Sequence, residues 1–215
     1  MKKIENCQAY DYSKLINNNI NNNNMNNNNI LNNNVNFDLN ESFSGIESNK
    51  LNPIHLINTH MHIDHSFGVV HVSQKYGLKL ECNIADQFLA ERLTNQAIMF
   101  GLTISIEDLI IGKNIHDGDK LKIGNEEILM LHVPGHSPGS VVLYAPDSSF
   151  IISGDVLFYK SIGRTDLPGG NYTQLIEGIK NKLLALPPET IVYPGHGPET
   201  TIGEEKRNNY DNTEM

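Results

Sequence analysis

His60, His62, Asp64 and His65 crowd into the run Thr59-His60-Met61-His62-Ile63-Asp64-His65, and His136, Asp155 and His196 follow singly downstream. Neutral imidazoles and ionised carboxylates are the donors that zinc, iron and manganese accept. A strand end or helical turn does not present so many of them unless a metal offsets their desolvation. His60 and His62 alternate by two, so on an extended segment or tight turn their rings share one side, while Asp64 and His65 turn toward a neighbouring point. The set reads as a hydrolytic site with two adjacent divalent metal positions. Zinc is the first choice of metal, with iron or manganese as alternatives. A scatter of surface and core polar residues is the competing explanation, and it must account for all seven side chains at once.

Those side chains need elements to position them. Ile54 to Thr59 is a β-rich apolar run ending at the first motif, and Ala85 to Phe100 sets Phe88, Leu89, Leu93, Ala97 and Phe100 near helical spacing. Lys120 to Ile123, Glu126 to Val133, Ser140 to Tyr144 and Phe150 to Ser153 are β-type runs punctuated by Gly124-Asn125, Pro134-Gly135 and Pro146-Asp147, and they predict successive antiparallel strands. Tyr172 to Leu186 predicts a helix ended by Pro187-Pro188, and Thr190 to Tyr193 a further strand. His136 sits in Val133-Pro134-Gly135-His136, Asp155 in Ser153-Gly154-Asp155 and His196 in Tyr193-Pro194-Gly195-His196, so each candidate ligand falls at a strand end. Loops there are held by a rigid sheet yet stay open to substrate.

The chain has 215 residues, 39% of them hydrophobic, enough for one sizeable core. Asn17 to Asn36 is almost wholly asparagine and carries no helix or strand period, so it reads as a disordered low-complexity tract. The organisation predicted is an N-terminal fragment at 1–16, the Asn-rich segment at 17–40 and a catalytic domain at 41–215. A net charge of -9 disfavours a nucleic-acid partner, and no apolar run approaches the roughly 20 residues of a spanning helix. A soluble cytoplasmic protein acting on a small molecule is the expectation. Cys7 and Cys82 lack metal or disulfide spacing. The remaining histidines, His55, His71, His116 and His132, read as structural or exposed, and Leu167-Pro168-Gly169-Gly170-Asn171 as a plain turn.

The His-x-His-x-Asp-His run, Pro-Gly-His136, Ser-Gly-Asp155 and Pro-Gly-His196 resemble the metallo-β-lactamase superfamily in its glyoxalase II-like branch. The stretches Ser161 to Gly170 and Gly197 to Lys206 resemble further signatures of that branch, and the similarity spans about Asn52 to Asn209. The resemblance implies an α/β fold, the αβ/βα sandwich. It implies one metal on His60, His62 and His136, a second on Asp64, His65 and His196, and Asp155 bridging. Asp64 and Asp155 are the catalytic candidates. The implied reaction is hydrolysis of a thioester, an S-(2-hydroxyacyl)glutathione such as S-lactoylglutathione, by a hydroxide held between the metals. Tetrahedral oxyanion stabilisation and departure of thiolate complete it. Asp166 is placed to accept a hydrogen bond from a ligand histidine and Arg164 to pair with a carboxylate; the competing reading is a mutual loop salt bridge. Tyr144 and Tyr159 read as ordinary packing.

The chain departs from the family pattern where the asparagine tract replaces the strands that normally follow the opening one, so the first sheet is expected to lack or alter its N-terminal strands. The helical domain that helps full-length glyoxalase II proteins bind glutathione is not found after Lys206-Arg207, so thiol selectivity is not carried over. Two rival functions follow. A mononuclear-iron persulfide dioxygenase shares the Gly163-Arg164-Thr165-Asp166 loop, although Gly195-His196-Gly197-Pro198 favours the hydrolase. A truncated inactive relative is the non-enzymatic one.

Overall fold

The computed structural model describes residues 52–99, 111–123 and 126–209, with Ser48 and Lys50. The segments 1–16 and 17–40, Cys7, Phe100 and the Gly124-Asn125 turn lie outside the described residues.

Among the described residues, three parallel strands form one sheet in the order β1 (Leu56–Ile57), β2 (Leu80–Cys82), β3 (Ile111–Asn114). Parallel neighbours need a crossover. Between β1 and β2 it is made by α1 (Ile63–Ser66) and α2 (Val69–Tyr76), and Gly77 at φ +66° ends α2 in the left-handed region. After β2 come a 3₁₀ turn at Ile84–Asp86, α3 (Gln87–Ala90) and α4 (Leu93–Met99).

The second sheet has six strands among the described residues. β4 (Lys120–Ile123), β5 (Glu126–His132), β6 (Val141–Ala145) and β7 (Phe150–Gly154) pair antiparallel in sequence order. β10 (Ile191–Pro194) then runs parallel to β7, and β11 (Thr200–Thr201) is antiparallel to β10. A small hairpin, β8 (Leu157–Phe158) with β9 (Ser161–Ile162), stands between β7 and α5 (Tyr172–Gly178). The latter continues as a π-helical turn over Ile179–Leu183, and α6 (Ile202–Asn208) follows β11. Asn171 and Thr201 cap α5 and α6, their side-chain oxygens accepting from Gln174 N and Glu204 N.

Alternation along β6 separates the layers. Val141, Leu143 and Ala145 join Ile115, Leu121, Ile128 and Met130 in a cluster that Ile57 of β1 also touches, so the two sheets face each other. Val142 and Tyr144 point to the opposite side and pack with Ile151, Leu175, Ile179, Leu183, Val192 and Ile202, which buries α5 and α6 on the second sheet. Met61, Ile63, Val69, Leu80, Leu89, Leu93 and Ala97 form the third cluster, which places α1 to α4 on the outer face of the first sheet. Helices, sheet, sheet, helices: this is the αβ/βα sandwich.

Two local expectations need correction. The helix expected at Ala85 to Phe100 is broken into the 3₁₀ turn, α3 and α4. Asp86 turns its carboxylate into the interior, and Gln96 donates to the Leu89 carbonyl across the second break while accepting from Ile63 N. Of the run Ile54 to Thr59, only Leu56–Ile57 is strand. The described part of the first sheet therefore ends at a short β1.

Candidate metal centre

The first loop leaves β1 at Asn58. Its backbone N–H donates to Glu81 O, while its side-chain amide donates to His65 O at 3.2 Å and Ser66 Oγ at 3.1 Å. The loop is thereby folded onto the start of α1. His62 occupies the N-cap position with extended backbone, and Asp64 and His65 lie within α1. Those two donors are thus on a helix, not at a strand end, because Asn58 turns the chain back before them.

Glycines set the other donors. A Cβ on Gly135 (φ +134°) would fall on the backbone N of Leu175, so the turn before His136 presses against the start of α5. One on Gly154 (φ +50°) would sit 2.6 Å from Thr59 Oγ1. One on Gly195 would fall on Asp155 Oδ1 and lie 2.7 Å from His65 Cε1. Only glycine admits such close approach.

Seven side chains meet as two groups. His60, His62 and His136, all buried, form one, and Asp64, His65, Asp155 and His196 the other; within each group the candidate ligand atoms lie within 4.8 Å of one another. His62 Nδ1 is 2.9 Å from His136 Nε2, and His65 Nε2 is 3.2 Å from His196 Nε2. Asp155 stands between the groups: Oδ2 is 3.6 Å from His136 Nε2 and 3.4 Å from His196 Nε2, and Oδ1 is 3.3 Å from His65 Nε2. Asp64 Oδ2 is 3.1 Å from His196 Nε2.

These separations fit bound cations. Tetrahedral donors held about 2.0–2.1 Å from zinc are about 3.3 Å from one another. His62 turns its Nδ1 toward the site, and among the described residues His60 Nε2 and Asp155 Oδ1 are buried with no hydrogen-bond partner. Each such atom costs about 1–3 kcal/mol if nothing satisfies it. His136 Nδ1 donates to Arg164 O at 2.8 Å, which leaves Nε2 with its lone pair toward the site.

Charge divides the groups. Burial, followed by the His65 charge, holds His60 well below the ordinary histidine range, and burial with His136 takes His62 down to about 4. These rings are neutral, ready donors near pH 7. The Asp155 and Asp64 carboxylates beside it raise His196 to about 10; burial opposes ionisation of His65, yet the neighbouring Asp155 carboxylate raises it too. Burial likewise works against ionised Asp155, but His196 and His65 hold it below the usual carboxylate range. The stabilisation that His196 gives the metal-free fold is full below about 6.5 and lost as pH rises through about 10. A metal takes only a neutral imidazole, so uptake at pH 7 must expel this proton. Calorimetric metal titration in buffers of different ionisation enthalpy should show about one or more protons released per chain at pH 7, falling toward pH 10. Uptake without release contradicts the arrangement.

Other expectations resolve here. Arg164 and Asp166 form the mutual loop salt bridge, with Nε to Oδ1 and a terminal guanidinium nitrogen to Oδ2 both at 2.7 Å. Asp166 does not accept from a ligand histidine: the Arg164 backbone carbonyl takes that place beside His136. Tyr144 packs in the core, whereas Tyr159 is exposed with Lys160 Nζ 5.0 Å above its ring. His55 pairs with Glu81, His132 Nε2 meets Pro138 O, and His71 and His116 are exposed. Cys82 is buried, its thiol pushed up to about 12 by burial and then by Asp86, so it is no nucleophile. Leu167–Gly170 is a turn closed by Gly170 N to Leu167 O at 2.8 Å. Sequence reasoning passed over Asn58, Asp86 and Ser137, which brace the loops from behind; an Asn at the end of a β-rich run was the only signal available for the first.

No helix among the described residues is long and apolar enough to cross a membrane. The profile of the metallo-beta-lactamase superfamily matches residues 41–196, more than half of the chain. The chain is 40% identical over 166 residues to hydroxyacylglutathione hydrolase GloC of Haemophilus influenzae, covering 76% of this chain and 78% of that protein. It is 38% identical over 167 residues, with the same coverage, to the probable metallo-hydrolase YqgX of Bacillus subtilis. Among solved structures, TTHA1623 in a di-iron-bound form superposes with a TM-score of 0.72 at 36% identity, covering 80% of this chain and 83% of that one. ETHE1 from Myxococcus xanthus gives 0.63 at 25% identity, covering 80% and 68%. Fold, converging donors and sequence matches agree: this chain belongs to the metallo-beta-lactamase superfamily.

Proposed function

We propose that this chain is a metal-dependent thioester hydrolase acting on an S-(2-hydroxyacyl)glutathione, S-lactoylglutathione being the substrate to test. The observation that carries the reading is the pair of donor groups facing each other across Asp155. The relative named hydroxyacylglutathione hydrolase supports the substrate class, and the di-iron neighbour supports two cations. In this reading His60, His62 and His136 would hold one divalent cation and Asp64, His65 and His196 the other, with the Asp155 carboxylate beside both donor groups.

Bound there, two divalent cations supply an ionised nucleophile near neutral pH and polarise a carbonyl. The chain's own residues do the rest. Asp64 and Asp155 set carboxylate charge against the cations, and the Arg164 carbonyl keeps the His136 ring from rotating. Phe158 lies edge-on to His196, with ring centroids 6.2 Å apart. Water adds across the acyl carbon–sulfur bond: a carbon–oxygen bond forms, the carbon–sulfur bond breaks, the thiolate leaves without a strong general acid and is protonated by solvent, and the second proton of the water is released with the carboxylate product.

Bound metal and S-lactoylglutathione hydrolysis should be measured on the same preparation. About two metals per chain, metal-dependent melting and chelator-sensitive hydrolysis are expected. One iron per chain with oxygen uptake on a glutathione persulfide would replace this reading by the dioxygenase. A chain that neither binds metal nor melts cooperatively would be the inactive relative.

A further inference from the structure

Asp86 ends the 3₁₀ turn Ile84–Asp86, is 1% exposed and belongs to neither donor group. Its Oδ2 accepts from Met61 N at 3.0 Å and from Ser137 Oγ at 2.8 Å, and its Oδ1 from Gly139 N at 2.5 Å. Met61 separates His60 from His62, and Ser137 follows His136. One carboxylate therefore grips, from behind, both loops that bring the three imidazoles together, although those loops are distant in sequence.

The surroundings are built for this grip. A Cβ on Gly139 would lie 2.6 Å from Asp86 Cγ, so glycine is what admits the carboxylate. Ser137 Oγ is held in turn 2.8 Å from Ser140 Oγ. The two loops also meet directly, through Val141 N donating to Thr59 O at 2.9 Å. Among the described residues, the donors that hydrogen-bond to Asp86 are all neutral. A buried carboxylate without a cationic partner is an expensive way to stabilise a core that Leu89, Leu93 and Met61 already fill. Stability alone does not account for it; the placement of the two loops does.

We propose that Asp86 is the positioning residue of the His60/His62/His136 site, fixing two loops in one register so that the three imidazoles converge on a single divalent cation. This rests on the two-cation reading and is independent of the substrate. An amide cannot replace the carboxylate: whichever way the side chain turned in Asp86→Asn, its NH₂ would confront the N–H of Met61 or of Gly139.

The test is equilibrium titration of the full chain with Zn²⁺ against a chromophoric chelator, repeated for Asp86→Asn, Ser137→Ala and His62→Ala, with melting of each metal-free protein as the check on folding. Wild type should take up two equivalents. Asp86→Asn should weaken one of them about 10–100-fold, the same one that His62→Ala removes, and leave the other within about twofold. Ser137→Ala, which deletes a single donor, should weaken that equivalent about 3- to 10-fold and decides the matter if the Asp86→Asn variant does not fold. Two equivalents in wild type, with both unchanged or equally weakened in the folded variants, would overturn the positioning role alone. Failure of wild type to bind two would overturn the two-cation reading and this role together.

Discussion

Asp155→Ala is expected to cut S-lactoylglutathione hydrolysis by the metal-loaded protein about 10³-fold or more. The size follows from position. Asp155 Oδ2 is the atom that lies near both donor groups, 3.6 Å from His136 Nε2 and 3.4 Å from His196 Nε2. Alanine removes a donor from each side and also the carboxylate that contributes most to raising His196. The mutant should hold less than the wild-type complement of metal, and His196, followed by NMR in the metal-free protein, should titrate below its wild-type value. Initial rates and metal content, measured on folded mutant, check the expectation. Turnover at the wild-type rate would sink the proposed mechanism.

Gly195→Ala is expected to be nearly as damaging without deleting any donor. The new methyl group would fall on Asp155 Oδ1 and crowd His65 Cε1 at 2.7 Å, so two donors must move or the β10 loop must. Displacement by about 1 Å at a reacting centre costs about 10²-fold in rate, and metal content should fall with it. Gly197→Ala is the control. Gly197 has φ +81° with nothing within 4 Å of its would-be Cβ, so alanine there meets only the left-handed backbone penalty, about 1–2 kcal/mol. It should lower the melting temperature and keep its metal. Equal metal loss in both variants would contradict the geometry.

The donors were legible in sequence because their chemistry needs scarce residue types at short spacing, and the Pro-Gly pairs before His136 and His196 mark turns that hold a ring in place. The antiparallel run β4 to β7 was legible for a different reason: short β-type runs are cut by turn pairs such as Pro134-Gly135 and Pro146-Asp147, whereas the faces of the uniformly apolar β6 emerge only from its packing. What stayed hidden depends on distant partners. Nothing near Asp86 announces that its acceptors serve Met61, Ser137 and Gly139, so the periodicity around it predicted one unbroken helix. Asn58 pulls Asp64 and His65 onto α1 through bonds to His65 O and Ser66 Oγ, an effect that spacing does not express. Arg164 and Asp166 show the reverse case: two residues apart, they satisfy each other, and the histidine is served instead by a backbone carbonyl that sequence does not distinguish.

His65 and His196, 3.2 Å apart at their ring nitrogens, are separated by 131 positions along the chain. The loop bearing the first four donors belongs to one half of the sandwich, and the turns bearing His136, Asp155 and His196 belong to the other. Neither half carries the full set, so a nascent or half-assembled polypeptide has only fragments of the constellation. The complete constellation exists only once the halves have docked, and starving the chain of cations is expected to loosen the seam between them before it loosens either half.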